Sequence, residues 1–283
     1  MASNAPTLSQ LALASRDLYA AVRRDAPLVQ CLTNFVSMNT AANTLLAIGA
    51  SPAMVHAAEE APEFAAISGA VVINIGTLSS PWLDSMLLTA AAAAKAGTPW
   101  VLDPVAHHAT GFRRDAVRRL LDLRPTVIRG NASEIIALAG GQSASKGVDA
   151  RDPVQLAEAA ARELARARGT VVAVTGEVDF VTDGRREVRV TGGSPLMPRV
   201  TATGCALTAV VGAFAAVARD DAYTAAVARD DAYTAAVAAL SCFGIAGRRA
   251  GALAEGPGSF AWRFLDALAA LETDSLTAES PLR

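Results

Sequence analysis

The stretch GAVVINIGTLSSPWLDSMLLTAAAAAKAGTPWVLD, Gly69 to Asp103, decides how the chain is read. A β-branched run at 70–76 and a second at 99–103 flank an alanine-rich segment at about 81–96. Short apolar runs bounded by Gly, Ser or Pro read as buried parallel strands, and the longer alanine-rich segment between them as a helix. The same alternation continues in both directions. Strands are expected at 28–34, 126–131 and 170–176, and helices at about 36–48, 57–68, 112–123, 132–139 and 153–168. Asp183-Gly184 between two alternating runs marks a hairpin after the last parallel strand, and the final third turns helical from Cys205. This order predicts an α/β fold with a mostly parallel central sheet flanked by helices. Active sites in such folds gather at the C-terminal ends of strands, where Asn34, Asp103, Arg129, Asn131 and Thr175 fall. No linker rich in Pro, Gly or Ser divides the chain, so residues 1–283 read as one domain.

Composition narrows the function. A hydrophobic content of 52% over 283 residues supplies a substantial core. With 25 basic and 27 acidic residues and no basic cluster interleaved with aromatics, nucleic acid is not an expected partner. The most apolar segments are interrupted before the roughly 20 residues that span a bilayer, and the first 19 residues lack the pattern of a signal peptide. The expectation is a cytoplasmic protein without membrane contact. Cys31, Cys205 and Cys242 are widely spaced, which indicates neither a disulfide framework nor structural zinc.

The decapeptide AAVARDDAYT occurs at Ala215–Thr224 and again at Ala225–Thr234. Solenoids need longer repeats and at least three copies, so one copy reads as surplus, forming either a surface excursion or an added piece of helix. As helix, ten residues would add about 15 Å.

Several residues carry chemistry. In RVTATGCALTAVVGAFAAV, Arg199 to Val217, Gly204 and Cys205 sit where a loop becomes an apolar helix. Free backbone N–H groups and the helix dipole there favour phosphate or an oxyanion. A cysteine at that place is expected to have a lowered pKa and to act as base, nucleophile or partner of a reacting hydroxyl; the plain alternative is a small buried hydrophobe. Asp103 in WVLDPV reads as a loop cap or a ligand. Asn131 and Glu134 in RGNASEI match a capping pair, while Glu134 also suits Mg²⁺ held directly or through water. Arg129 is placed to reach phosphate oxygens. The adjacent His107 and His108 lack a third metal ligand. Neither GxxxxGK[ST] nor GxGxxG after the first strand is present.

The segments CLTNFVSMNTAANTLLAIGASPAM, VINIGTLS, VLDPVAHHATGFR, IRGNASEI, KGVDA, VVAVTGEVDFVTDG and VTATGCALTAVVGAF occur in that order. Together, over roughly residues 15–270, they resemble the hydroxyethylthiazole kinase family. The resemblance implies a ribokinase-like three-layer fold and phosphorylation of 4-methyl-5-(2-hydroxyethyl)thiazole by ATP with Mg²⁺, a salvage step toward thiamine. It also implies a homotrimer with active sites at subunit interfaces. By the same resemblance Cys205 and Gly204 form the catalytic loop, where many relatives in the wider superfamily carry aspartate in place of the cysteine. Arg129 and Thr175 look like ATP contacts, Asp103 and Glu134 like the Mg²⁺ and phosphate neighbourhood, and Asn34, Val36, Met54 and Ala202 like the thiazole site. The sequence departs from the family at Ala202, where glycine is usual, and at His107 and His108, where small residues are usual. An alanine there is expected to crowd the ligand or to bar a positive φ.

Three other readings remain open on the residues. A kinase for a pyrimidine, pyridoxal or sugar alcohol would keep the chemistry and change the pocket. A cysteine hydrolase would use Cys205 with His107 or His108 as base. A non-catalytic derivative would bind ATP and thiazole without turnover.

Overall fold

A computed structural model describes residues 6–141, 153–218 and 228–283. Helix α1 (Leu8–Asp25) leads into β1 (Leu28–Leu32), α2 (Met38–Ile48), β2 (Ser51–Ala53) and α3 (Ala61–Ile67). The stretch from Gly69 to Asp103 forms β3 (Ala70–Asn74), α4 (Ser80–Ala96) and β4 (Trp100–Asp103). Then come α5 (Gly111–Leu121), β5 (Val127–Asn131), α6 (Ala132–Leu138), α7 (Val154–Arg168) and β6 (Val171–Thr175). The hairpin β7 (Asp179–Thr182) and β8 (Glu187–Val190) precedes α8 (Thr203–Val217), α9 (Ala228–Leu253), α10 (Pro257–Ala269) and α11 (Ser275–Ala278).

The eight strands make one sheet in the order β2-β1-β3-β4-β5-β6-β7-β8. Every pairing from β2 to β6 is parallel, and among the described strand pairs β6/β7 and β7/β8 are antiparallel. Successive side chains of a strand point to opposite faces, and the core divides accordingly. Cys31, Val72, Val101, Val127 and Ala173 pack with α1, α2, α8, α9 and α10. Leu32, Val71, Ile73, Leu102, Ile128, Val172 and Val174 pack with α3 to α7. The result is the expected three-layer α/β architecture with helices on both faces of a mostly parallel sheet.

Some boundaries differ from the sequence reading. The strands expected at 28–34 and 70–76 end two residues earlier, at Leu32 and Asn74, because their last residues already turn toward the loops. The three-residue edge strand β2 is too short for a periodic signal. Asp183 and Gly184 do lie in the hairpin turn, but Thr182 pairs with Glu187, so the connection has four residues. Helix α8 begins at Thr203, before Cys205. Residues 219–227 of the tandem decapeptide lie outside the described residues: α8 takes up the first residues of the first copy, and the backbone resumes at Ala228 inside the second.

Helix α8 is the central packing element of its layer. Every residue from Ala206 to Val217 is buried, and Phe214 stacks on Tyr19 of α1 with ring centroids 6.0 Å apart. Its start is set by Ala202, which takes a left-handed conformation (φ 67°, ψ −1°) and accepts a hydrogen bond from the Ala206 N–H at 2.9 Å. The alanine therefore does not bar a positive φ, contrary to expectation; burial of the helix behind it holds the strained residue in place. A left-handed L-residue costs about 1–2 kcal/mol, and glycine's greater unfolded-state freedom returns about 0.4–1 kcal/mol of that on replacement. Ala202→Gly is thus expected to raise the urea midpoint by a stability gain of about 0.5–1 kcal/mol. A midpoint that falls would contradict the strain at this residue.

Candidate functional site

Five parallel strands bring polar residues to one edge of the sheet. Asn74, Asp103, Asn131 and Thr175 close β3, β4, β5 and β6, and Asn34 follows two residues after β1. The register places Asn74 beside Asp103 and Asn131 beside Thr175. The N-terminus of α8 meets this edge and delivers Gly204, Cys205 and Thr208.

Asp103 is the hub, with 1% of its surface exposed. Its Oδ2 accepts from Asn74 Nδ2 at 2.8 Å and from Thr208 Oγ1 at 2.7 Å, and lies 3.6 Å from Arg129 Nη1. Burial pushes its carboxyl up to about 6, and the charge of Glu134 adds to the push. Arg129, Thr208 and Asn74 oppose it. Asp103 thus gathers three protein donors at the point where β4 ends.

Arg129 continues the network. Its Nη2 donates to Thr175 Oγ1, while its Nε is buried without a hydrogen-bond partner among the described residues. A Cβ on Gly204 would lie 2.9 Å from Arg129 Nη1, so a side chain there would push the guanidinium away from the start of α8. The buried, unanswered Nε–H suits an acceptor such as a phosphate oxygen.

Glu134 forms the capping box anticipated with Asn131. The Asn131 N–H donates to Oε2 at 2.8 Å, and the Glu134 N–H donates to Asn131 Oδ1 at 3.0 Å. Oε1 accepts from the Ala106 N–H at 2.9 Å, which ties α6 to the loop after β4. Each carboxylate oxygen thus already accepts one backbone bond. The three contacts of Asp103 all use Oδ2. This donor set fits a Mg²⁺ ion, which keeps several waters and takes only one or two carboxylates. Among the described residues no group of three or more His, Cys, Asp or Glu is arranged to hold a metal. His107 and His108 meet edge to face, 5.5 Å between ring centroids, and burial pushes His107 down to about 4, so it is neutral near pH 7.

Cys205 is half-buried, and Asn34 Nδ2 donates to its sulfur at 3.4 Å. Burial raises its pKa and the charge of Asp103 raises it further, against the opposing influence of Asn34, Arg129 and Asn74. The lowered pKa expected of a helix N-terminus is therefore corrected: desolvation and a nearby carboxylate outweigh the dipole.

The site residues expected from sequence thus fall into two groups. Asn34, Asp103, Arg129, Thr175, Gly204 and Cys205 are joined by direct contacts, and Glu134 joins them through the loop after β4. Val36 (58% exposed) and the half-buried Met54 lie at the same edge, without a contact to Asp103 or Cys205 among those described. Ala202 stands one residue before α8.

Four further residues escaped the sequence reading. Asn74 and Thr208 bind Asp103 directly. Arg113 donates to the carbonyls of Ile75, Val105 and Gly76 at 2.9, 2.8 and 2.7 Å, suturing the loops after β3 and β4. Asp179 accepts from the Gly176 N–H at 2.9 Å, and burial pushes it up to about 7 against the charge of Arg129. Asn74 had a signal, a polar residue closing a buried run, which was hidden by reading that strand to residue 76.

Comparison with known proteins agrees with this architecture. A hydroxyethylthiazole kinase from Rhizobium johnstonii is 64% identical over 260 residues, covering 92% of this chain and 94% of that protein. The solved structure of a hydroxyethylthiazole kinase from Pyrococcus horikoshii is 40% identical with a TM-score of 0.82, covering 95% of this chain and 97% of that one. A ribokinase-like superfamily protein from Enterococcus faecalis, 13% identical, shares the fold with a TM-score of 0.57 over 89% of this chain and 88% of its own. The model of the Hydroxyethylthiazole kinase family matches residues 19–274, and the chain belongs to that family.

Proposed function

We propose that this chain transfers the γ-phosphoryl group of ATP to the primary hydroxyl of 4-methyl-5-(2-hydroxyethyl)thiazole, a salvage step toward thiamine. The observation that carries this reading is the meeting of the α8 N-terminus, Arg129 and Asp103 at one end of the sheet. Phosphoryl transfer passes through a loose transition state, so positioning and charge matter more than a strong base. Arg129, with its unanswered Nε–H, and Thr175 receive the ATP phosphates. The backbone amides at Gly204 and Cys205 stabilise the charge on the transferring group.

Cys205, kept mainly as a thiol near neutral pH by its raised pKa, aligns the alcohol oxygen. That oxygen bonds to the γ-phosphorus as the bond to the β,γ-bridging oxygen breaks and ADP leaves, and the hydroxyl proton passes to a phosphoryl oxygen and then to solvent. Asn34, Val36, Met54 and Ala202 border the thiazole. Asp103 and Glu134 would hold Mg²⁺, Glu134 through water because both its oxygens already accept backbone bonds. When bound, the ion neutralises charge on the β- and γ-phosphate oxygens.

The whole network stands on one continuous sheet, which supports a single kinase domain over residues 1–283. Phe35 and Val36, 66% and 58% exposed beside Asn34, leave the thiazole side of the site uncovered. This supports the reading of a homotrimer whose neighbouring subunit completes the site. No described helix is long and apolar enough to cross a membrane.

Release of ADP from Mg·ATP is expected to depend on added hydroxyethylthiazole, with phosphothiazole detected by mass spectrometry. Cys205→Ser, which keeps a smaller hydrogen-bonding group, is expected to lower kcat about tenfold with little change in the KM for ATP. ADP release that ignores thiazole, or none from folded protein, would overturn the assignment. Asp103 must be ionised to hold a cation, and its pKa is raised to about 6. Activity carried by this group is therefore present above that pH and lost as pH falls through it. The profile of kcat/KM for ATP should be flat above about pH 7 and fall about tenfold per unit well below pH 6. A flat profile down to pH 5 would remove Asp103 from the working site.

A further inference from the structure

Asn74 stands between the two halves of the site and is 1% exposed. Its Nδ2 donates to Asp103 Oδ2 at 2.8 Å. Its Oδ1 accepts from Asn34 Nδ2 at 2.8 Å and from the Gly76 N–H at 2.9 Å. Asn34 Nδ2 also reaches the Cys205 sulfur at 3.4 Å, and Asn34 Oδ1 accepts from the Ser37 N–H at 3.1 Å. A continuous path of side chains thus runs from Asp103 through two amides to Cys205.

The direction of that path is set at its carboxylate end and held by two backbone donors. An ionised carboxylate only accepts, so the nitrogen of Asn74 faces Asp103 and its oxygen faces Asn34. The Asn34 nitrogen must then point inward, with one hydrogen on Asn74 and the other on the sulfur. Two backbone donors, Gly76 N–H and Ser37 N–H, hold the oxygen ends and oppose a flip of either amide. A Cβ on Gly76 would lie 2.7 Å from Asn34 Nδ2, so the amide of Asn34 fits there only because residue 76 has no side chain.

We propose that Asn74 is a positioning residue for the acceptor alcohol: it turns the Asn34 amide so that the Cys205 sulfur receives an N–H donor while Asp103 stays anchored. This deepens the kinase reading and rests on it for its catalytic consequence, although the hydrogen-bonded path does not. Cys205 is thereby oriented toward the substrate side with its lone pair already engaged. The carboxylate that faces the phosphates and the thiol that faces the alcohol are set by one side chain.

The native protein carries its own probe. Cys31 and Cys242 are fully buried, each pushed up to about 12 by burial, so Cys205 is the thiol within reach of iodoacetamide. Asn74→Leu removes both ends of the bridge at similar size. It is expected to slow alkylation of Cys205 at pH 8 about threefold or more, because the sulfur loses the amide that favours its thiolate. It is also expected to lower kcat about tenfold or more and, because Asp103 loses a donor in the same variant, to raise the KM for ATP. Asn74→Asp keeps acceptors for Asn34 and Gly76 but sets a second carboxylate against Asp103. It is expected to lower kcat as well, and it serves if the leucine variant does not fold. A merely loosened site would expose the sulfur, so faster alkylation in Asn74→Leu overturns the proposal. Wild-type kcat in either variant also overturns it. Slower alkylation in a chain whose wild type shows no thiazole-dependent ADP release would retain the positioning and refute the kinase reading alone.

Discussion

A carboxylate that is buried must be surrounded by donors, and the architecture of this site follows from how Asp103 meets that requirement. Leaving such a charge unanswered costs more than a small protein can bear. The donors here come from three separate elements: Asn74 from β3, Thr208 from α8 and Arg129 from β5. Each is fixed in turn by its own surroundings. Asn74 is held by Asn34 and Gly76, Arg129 by Thr175, and Thr208 by a helix whose following turns are wholly buried. Placing one acid at the end of β4 therefore determines where two strands and one helix must end or begin.

The apolar length of α8 and the polar chemistry at its start serve each other. The buried helix holds Ala202 in a left-handed conformation, and that turn presents the first amides of the helix to the strand edge. Gly204 keeps the space above Arg129 clear. Cys205 sits in the same turn, where desolvation and the charge of Asp103 keep its proton bound more firmly than a helix N-terminus alone would. A thiol in that state orients an alcohol better than it removes a proton, which accords with a reaction governed by positioning.

The sheet was legible because its strands are continuous β-branched runs separated by alanine-rich helices, and hydrophobic period alone separates the two. The candidate site residues at or near the C-terminal ends of strands, Asn34, Asp103, Arg129 and Thr175, were legible for the same reason. Other parts were not. Thr208 lies inside an apolar helix and matters only because α8 crosses the end of β4, a tertiary fact with no local signal. Arg113 reads as one of several arginines on a polar helix face, yet it binds three strand-end carbonyls. The acidity of Cys205 was misjudged because a sequence shows the dipole it caps and conceals the carboxylate that the fold sets nearby.

The hydrogen-bonded path from Asp103 to Cys205 makes the acceptor end and the carboxylate end of the site one unit. The direct measurement is a double-mutant cycle in kcat with thiazole and Mg·ATP, using Asp103→Asn, Cys205→Ser and the two combined. Residues that act as a unit lose activity non-additively. The prediction is that the double variant is about as slow as the slower single variant. A double variant whose loss equals the product of the two single losses would show that Asp103 and Cys205 work independently, and would contradict the account.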